Sequence, residues 1–374
     1  KTIAVIGPNA DAIRHMAGDY SYASLADLIE GTPLPPETTR FPNKLPPMDS
    51  VLEGIRKAAG AETVVRYAKG CEITGHSQDG FAEAVELARE ADVVVLVAGG
   101  RSGQLELCTC GECRDRATLG LLGAQEALAS ALLDTGTPLV LVLVDGRPAA
   151  IPMLAERIPA ILEAWLPGEE GGGAVAEALF GQLNPGGKLP ISFPRTVGQV
   201  PIFYGHKPSS GRSYPYNNYV DESNKPWFAF GHGLSYTQFE YADLEVTPGQ
   251  VATEGEVRIS LSVKNIGERA GDEVVQLYLH DAVASTTRPV QELKGFRRVR
   301  LEAGQSIRVT FTLKTALTAF YDLQRRYGVE PGLIEVMVGS ASDDIRVTGQ
   351  FEITGEFTPI ANKVFFSGSA AQPR

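Results

Sequence analysis

"ADVVVLVAGG", residues 91–100, decides the fold. From Val93 to Ala98 it has no polar position, so neither of its faces can meet water, and it is short for a buried helix. A strand apolar on both faces belongs to a parallel sheet covered by helices on each side. Neighbouring runs have the same character: "TIAVIG" (2–7), "ETVVRYA" (62–68), "TPLVLVLVDG" (137–146), "PAILEAW" (159–165) and "KLPISF" (188–193). Helix-period segments lie between them. Met48 to Ala59 brings Val51, Leu52, Ile55 and Ala58 to one side, and Phe81 to Ala91 does the same with Ala84, Val85 and Ala88. Gln125 to Leu133 and Gly173 to Phe180 are two more. Strand–helix alternation over residues 1–204 predicts a mostly parallel α/β sandwich.

Further along, the pattern changes twice. Residues 205–238 are rich in Gly, Pro, Ser, Asn and Tyr and read as a long surface connection, pinned by its aromatics. From Phe239 the period becomes two: "EVRISLSVKNIG", "DEVVQLYLHD", "VQELKGFRRVRLEAG", "SIRVTFTLK" and "LIEVMVGS" are strand-length and divided by turn residues. Residues 239–355 therefore predict an antiparallel β-sandwich, and 356–374 a tail without clear pattern. The expected fold class is α/β plus all-β.

The chain has 374 residues, 43% of them hydrophobic and 21% charged, which suits two folded domains. A net charge of −11 disfavours nucleic acid and anionic membranes, so neither is expected as a partner. The longest apolar run, Pro138 to Val144, is too short to cross a bilayer. Lys1 leads straight into a strand pattern, so we expect a fragment or processed product whose N-terminus lies upstream. The compartment is left open, export to a periplasm or outside the cell being compatible with the cysteines.

Ligands of open parallel sheets bind beyond the carboxyl ends of the strands. The loop after "ADVVVLVAGG" is the most charged of the first domain and holds Glu106, Glu112, Arg114, Asp115 and Arg116. Within it, "CTCGECRDR" (108–116) packs Cys108, Cys110 and Cys113 around Glu112, with Cys71 the remaining cysteine. Three readings stay open: a zinc site with four thiolate ligands, disulfides in one of three pairings (Cys108–Cys113 would cinch Glu112), or free thiols. Glu112 suits a general acid, yet glycoside chemistry wants two carboxylates and no second one is evident. Elsewhere the signals are weaker. "VIGPNA" (5–10) lacks the further glycines of a dinucleotide fingerprint, and no G-x-S-x-G elbow occurs. "PGEEGGGA" (167–174) reads as glycines for close helix packing rather than an anion site. His15, His76, His206, His232 and His280 are scattered.

Several long stretches carry a resemblance. "WLPGEEGGGAVAEALFGQLNPGGKLPISFPRTVGQVP" (165–201) and "FAFGHGLSYTQFEY" (228–241) resemble the C-terminal half of glycoside hydrolase family 3. "VKNIGERAGDEVVQLYL" (263–279) and "RPVQELKGFRRVRLEAG" (288–304) are similar to its fibronectin type III-like domain. The resemblance implies a retaining β-glycosidase acting on β-linked oligosaccharides or glycosides, β-glucosidase first and β-xylosidase second. It assigns the general acid/base to Glu112, since "ECRDR" matches that family's E-G-x-D-R loop. Asp115 and Arg116 would pair to shape the loop, Arg114 would face solvent, and Glu106 is a secondary candidate for the acid. Cys113 stands where the family has glycine. The aspartate nucleophile would sit on an N-terminal barrel outside this chain, the expected partner domain. "AGDYSY" (17–22) resembles segments of the family's glucosidases and xylosidases. Asp19 or Tyr20 would then line a sugar subsite, though a plain surface loop is the favoured reading. No cofactor or metal is implied, and substrate-binding residues are otherwise unassigned. The alternative is a non-catalytic carbohydrate-binding or adhesion module.

Overall fold

The computed structural model describes residues 1–31, 47–208, 218–365 and 367–373. They form two compact units, Lys1–Leu183 with Arg195–Gly198, and Asn184–Pro194 with Gln199–Arg374.

The first unit is built on β1 (Thr2–Ile6), α1 (Tyr22–Gly31), α2 (Val51–Ala58), β2 (Val64–Ala68), α3 (Phe81–Glu90), β3 (Val93–Gly99), α4 (Gln125–Leu133), β4 (Leu139–Val144), α5 (Pro152–Arg157), β5 (Ala160–Glu163) and α6 (Gly171–Leu179). The strands form one parallel sheet in the order β2-β1-β3-β4-β5. Alternate residues of the same strand feed opposite layers, which is why these strands lack polar positions. Ala4, Ile6, Val94, Leu96, Ala98, Leu139, Leu141 and Leu143 pack with Ala84 and Ala88 of α3, Leu128 and Leu132 of α4 and Leu154 of α5. Ile3, Val5, Val95, Val97, Val142 and Val144 pack with Val51, Leu52 and Ile55 of α2 and Val175 and Ala176 of α6.

α2 opens on a reciprocal cap in which Ser50 Oγ accepts from Glu53 N at 3.2 Å and Ser50 N donates back to Glu53 Oε2 at 3.1 Å. The glycines of "PGEEGGGA" then explain themselves. A Cβ on Gly172 would lie 2.3 Å from Asp49 O, and one on Gly54 2.0 Å from Gly172 O. They let α6 press against α2.

"KLPISF" does not join the parallel sheet. It belongs to the second unit, where Phe193 N donates to Phe228 O and Gly231 N to Leu189 O, each at 2.8 Å. Pro190 and Pro194 lack the N–H that a central ladder requires. The first compact unit runs to Leu183 and takes back Arg195–Gly198. In the connecting segment, Tyr204 stacks on Phe230 (centroids 4.5 Å apart) and Phe228 on His232 (5.1 Å), while residues 209–217 lie outside the described residues.

The second unit contains β6 (Phe239–Thr247), β7 (Gln250–Ala252), β8 (Glu256–Asn265), β9 (Gly271–Asp281), β10 (Glu292–Leu301), β11 (Ser306–Lys314), β12 (Phe320–Tyr321), β13 (Tyr327–Val329), β14 (Gly332–Ala341), β15 (Asp344–Thr354), β16 (Thr358–Pro359) and β17 (Gly368–Pro373). A five-stranded sheet β10-β9-β14-β15-β7 and a four-stranded sheet β17-β11-β8-β6 close over one core that includes Val257, Leu261, Leu277, Phe311, Val336 and Phe351. β12, β13 and β16 make a small third sheet. The segment read as a patternless tail supplies β16 and also β17, which pairs with β11 from Ile307↔Pro373 to Thr312↔Gly368.

Candidate active site

The order β2-β1-β3-β4-β5 reverses direction between β1 and β3, and ligands of such sheets collect in the crevice beyond the carboxyl ends at that reversal. Two loops reach that point: residues 7–21 after β1, and 100–124 after β3. The second doubles back on itself. Thr109 N donates to Arg101 O at 2.8 Å and Gly103 N to Cys110 O at 3.0 Å. Its tip turns through Gly111 (φ +118°), Glu112 and Cys113 (φ +58°), where Arg114 N donates to Gly111 O at 3.2 Å. Glu112 is thereby exposed on a turn with a hydrogen-bonded stem.

The loop after β1 grips this turn. Asp19 Oδ2 accepts from Glu112 N at 2.8 Å, Asp19 Oδ1 accepts from Tyr20 N at 2.9 Å, and Asp19 N donates to Ser102 Oγ at 2.9 Å. The Tyr20 hydroxyl donates to Glu112 Oε2, which also accepts from Gln104 Nε2 at 3.1 Å. Tyr20 is 61% exposed and sits at φ +60°. The hydrogen bond to Glu112, then loss of solvent, then the closeness of the Glu112 and Asp19 charges push its phenol above the ordinary range. Asp19 and Tyr20 thus both contact the turn that carries Glu112. The signal for them was their place after β1, the strand neighbouring β3. Gln104 and Ser102 had no sequence signal of their own.

The other expectations for the loop divide. Arg114 does not face solvent. It is half-buried, with Nε donating to Cys108 O at 2.9 Å and Nη2 to Glu106 O at 2.7 Å, so it ties the loop's two limbs together. Glu106 is exposed and takes part through its carbonyl. Asp115 and Arg116 form no ion pair with each other among the described residues. Arg116 Nη2 donates instead to Gly120 O. All four cysteines are free thiols, Cys71, Cys108 and Cys110 buried and Cys113 exposed. Among the described residues no group of His, Cys, Asp or Glu comes together as a metal site. Burial pushes the Cys71 thiol up to about 11 and raises that of Cys110.

The first unit also encloses two carboxyls. Asp145, at the end of β4, is buried, and that burial raises it above the usual carboxylate range although Gly146 N (2.7 Å), Arg116 and Arg147 pull the other way. Glu163, the last residue of β5, accepts from Trp165 N at 3.0 Å through Oε1, while Oε2 is buried and finds no partner among the described residues. Burial pushes Glu163 up to about 8, with Asp145 adding in the same sense.

The first unit is thus a doubly wound α/β domain with Glu112 exposed on a turn at its switch point, and the second contains a β-sandwich. A family model described as "Glycosyl hydrolase family 3 C-terminal domain" matches residues 1–236, and one described as "Fibronectin type III-like domain" matches 273–342. The chain belongs to glycosyl hydrolase family 3. It is 41% identical over 352 residues to a β-xylosidase of Formosa agariphila, covering 92% of this chain and 45% of the relative. It is 38% identical over 381 residues to a periplasmic β-glucosidase of Salmonella typhimurium, covering 94% and 46%. A solved β-glucosidase of Listeria innocua superposes with a TM-score of 0.80 at 33% identity, over 95% of this chain and 46% of that one. The chain thus spans about half the length of the relatives it matches.

Proposed function

We propose that this chain forms the acid/base half of a retaining β-glycosidase, with Glu112 as the catalytic residue and the nucleophilic aspartate on a barrel domain outside it. The observation that carries the reading is Glu112 itself, exposed at the switch point on a turn held by Asp19 and Tyr20 of the loop after β1. In the first step the nucleophile attacks the anomeric carbon while Glu112 protonates the departing glycosidic oxygen. In the second step Glu112 takes a proton from water, and the water oxygen displaces the nucleophile. The two carboxyls must stand about 5 Å apart, so a protruding, well-held loop suits the task. Terminal β-linked glucose is the first candidate substrate and xylose the second, since relatives bear both names.

The test is Glu112→Ala in the complete enzyme, barrel included. Turnover of glycosides with poor leaving groups should fall by about a thousandfold or more, while an activated aryl glycoside keeps its first step and azide restores its turnover. Unchanged hydrolysis of poor leaving groups would assign the acid elsewhere. Tight oligosaccharide binding by the 374-residue chain alone, seen by calorimetry, would point to a binding module.

A further inference from the structure

We propose that Tyr20 is a positioning residue for Glu112: its hydroxyl, with the Gln104 amide, occupies Glu112 Oε2 and leaves Oε1 as the oxygen that carries the transferable proton. This rests on the acid/base reading of Glu112.

The geometry argues it from three sides. Both side-chain hydrogen bonds that Glu112 receives end on Oε2, from Tyr20 OH and from Gln104 Nε2 at 3.1 Å, and none among the described residues reaches Oε1. A carboxyl whose one oxygen is saturated by donors presents a single oxygen for proton transfer, in a fixed direction. Secondly, Tyr20 is itself held in place. Its backbone lies in the left-handed region, uncommon for an aromatic residue, and its N–H donates to Asp19 Oδ1 at 2.9 Å. Thirdly, the other Asp19 oxygen accepts Glu112 N at 2.8 Å, so one carboxylate sets the backbone of both the glutamate and the residue that aims it. Phenol, amide and carboxylate come from two loops that are neighbours only because β1 pairs with β3. An exposed tyrosine needs none of these bonds for burial, which leaves the aiming of Glu112 as their evident result.

Two experiments test it. In the 374-residue chain, carbon-13 labelled tyrosines followed by NMR should show the Tyr20 phenol titrating above the ordinary 10, and moving back toward 10 in Glu112→Gln. A Tyr20 titration unmoved by that substitution would overturn the proposal without touching the role of Glu112. In the complete enzyme, Tyr20→Phe should lower kcat/KM for poor leaving groups by about ten- to a hundredfold, with a near-normal KM. Activated aryl glycosides, which need little acid assistance, should change by less than about threefold, so the dependence of rate on leaving group steepens. A uniform loss across leaving groups, or none, would reject Tyr20 as positioning residue. If Glu112→Ala itself leaves poor leaving groups unaffected, the acid/base reading fails first, and that outcome is read separately.

Discussion

At the scale of single residues, the loop tip shows how a substitution can be tolerated where it is least welcome. Cys113 holds a left-handed backbone at φ +58°, in the position where the resemblance expects glycine. That conformation costs an ordinary side chain about 1–2 kcal/mol. Glycine would remove this strain and lose about 0.5–1 kcal/mol through a freer unfolded chain. The strain outweighs the freedom, so Cys113→Gly should stabilise the chain by roughly 0.5–1 kcal/mol, read as a higher urea midpoint at unchanged slope. A lower midpoint would show that the thiol makes a contact worth more than the strain. Glu112 was singled out by the match of "ECRDR" to the family's acid/base loop, since its place after an apolar strand reads equally well as a solvated loop carboxylate. Tyr20 and Gln104 were not legible, since a tyrosine in a polar loop and a glutamine among charges look like any solvated surface. Only the pairing of β1 with β3 brings them to the glutamate. The bracing expected of a Cys108–Cys113 bridge is supplied by Arg114, whose guanidinium spans the same limbs by hydrogen bonds to two carbonyls.

At the scale of elements, the parallel strands were readable because apolarity on both faces admits few other architectures, and helices α2, α3, α4 and α6 followed from their apolar stripes. What stayed hidden was structure made by weak local patterns. "KLPISF" has a strand's composition, but Pro190 within it and Pro194 just after it lack the N–H a central ladder needs. "GSAAQP" (368–373) has almost no strand propensity, yet it forms β17, because β11 offers an unpaired edge and small residues suit it. The tail thus shields β11, whose Val309, Phe311 and Leu313 are fully buried. Ending the chain after Phe365 should cost roughly 2–4 kcal/mol at about 0.5–1 kcal/mol per ladder bond, and should make the protein associate through the bared edge. Denaturant titration with light scattering checks both. Unaltered stability and dispersity would show that β17 is dispensable.

At the scale of the whole chain, the first unit holds two groups whose protonation acts on stability in opposite directions: it favours the fold at Glu163 and opposes it at His15. Glu163 rises from 4.5 to about 8, so unfolding releases a proton in that window, and the stability it contributes, full below pH 4.5, is lost as pH climbs toward 8. His15 falls from 6.5 to about 4, through burial first and then the nearby Arg101 and Arg14, so its contribution is full above pH 6.5 and lost as pH drops toward 4. The two slopes oppose each other between 4.5 and 6.5, so the decline set by Glu163 stands unopposed above 6.5 and the one set by His15 below 4.5. Asp145 and Glu126, both raised by burial, act in the sense of Glu163. From pH 6.5 to 8 the loss from Glu163 alone is about 2 kcal/mol, and Glu163→Gln should flatten that limb in denaturation curves taken across pH. A limb that stays steep in the variant would clear Glu163 of responsibility. The sheet order has a last consequence, which concerns assembly. Asp19 and Glu112 are 93 positions apart, and closing a loop of that size costs about 4 kcal/mol of chain entropy. The register Ile3↔Val93 has already closed it. The central strands therefore act as a tether that keeps the two loops at high effective concentration, so their grip needs only modest bonds. Loops of other lengths and sequences can be mounted on the same tether, whereas anything that melts the middle of the sheet dissolves the site at once.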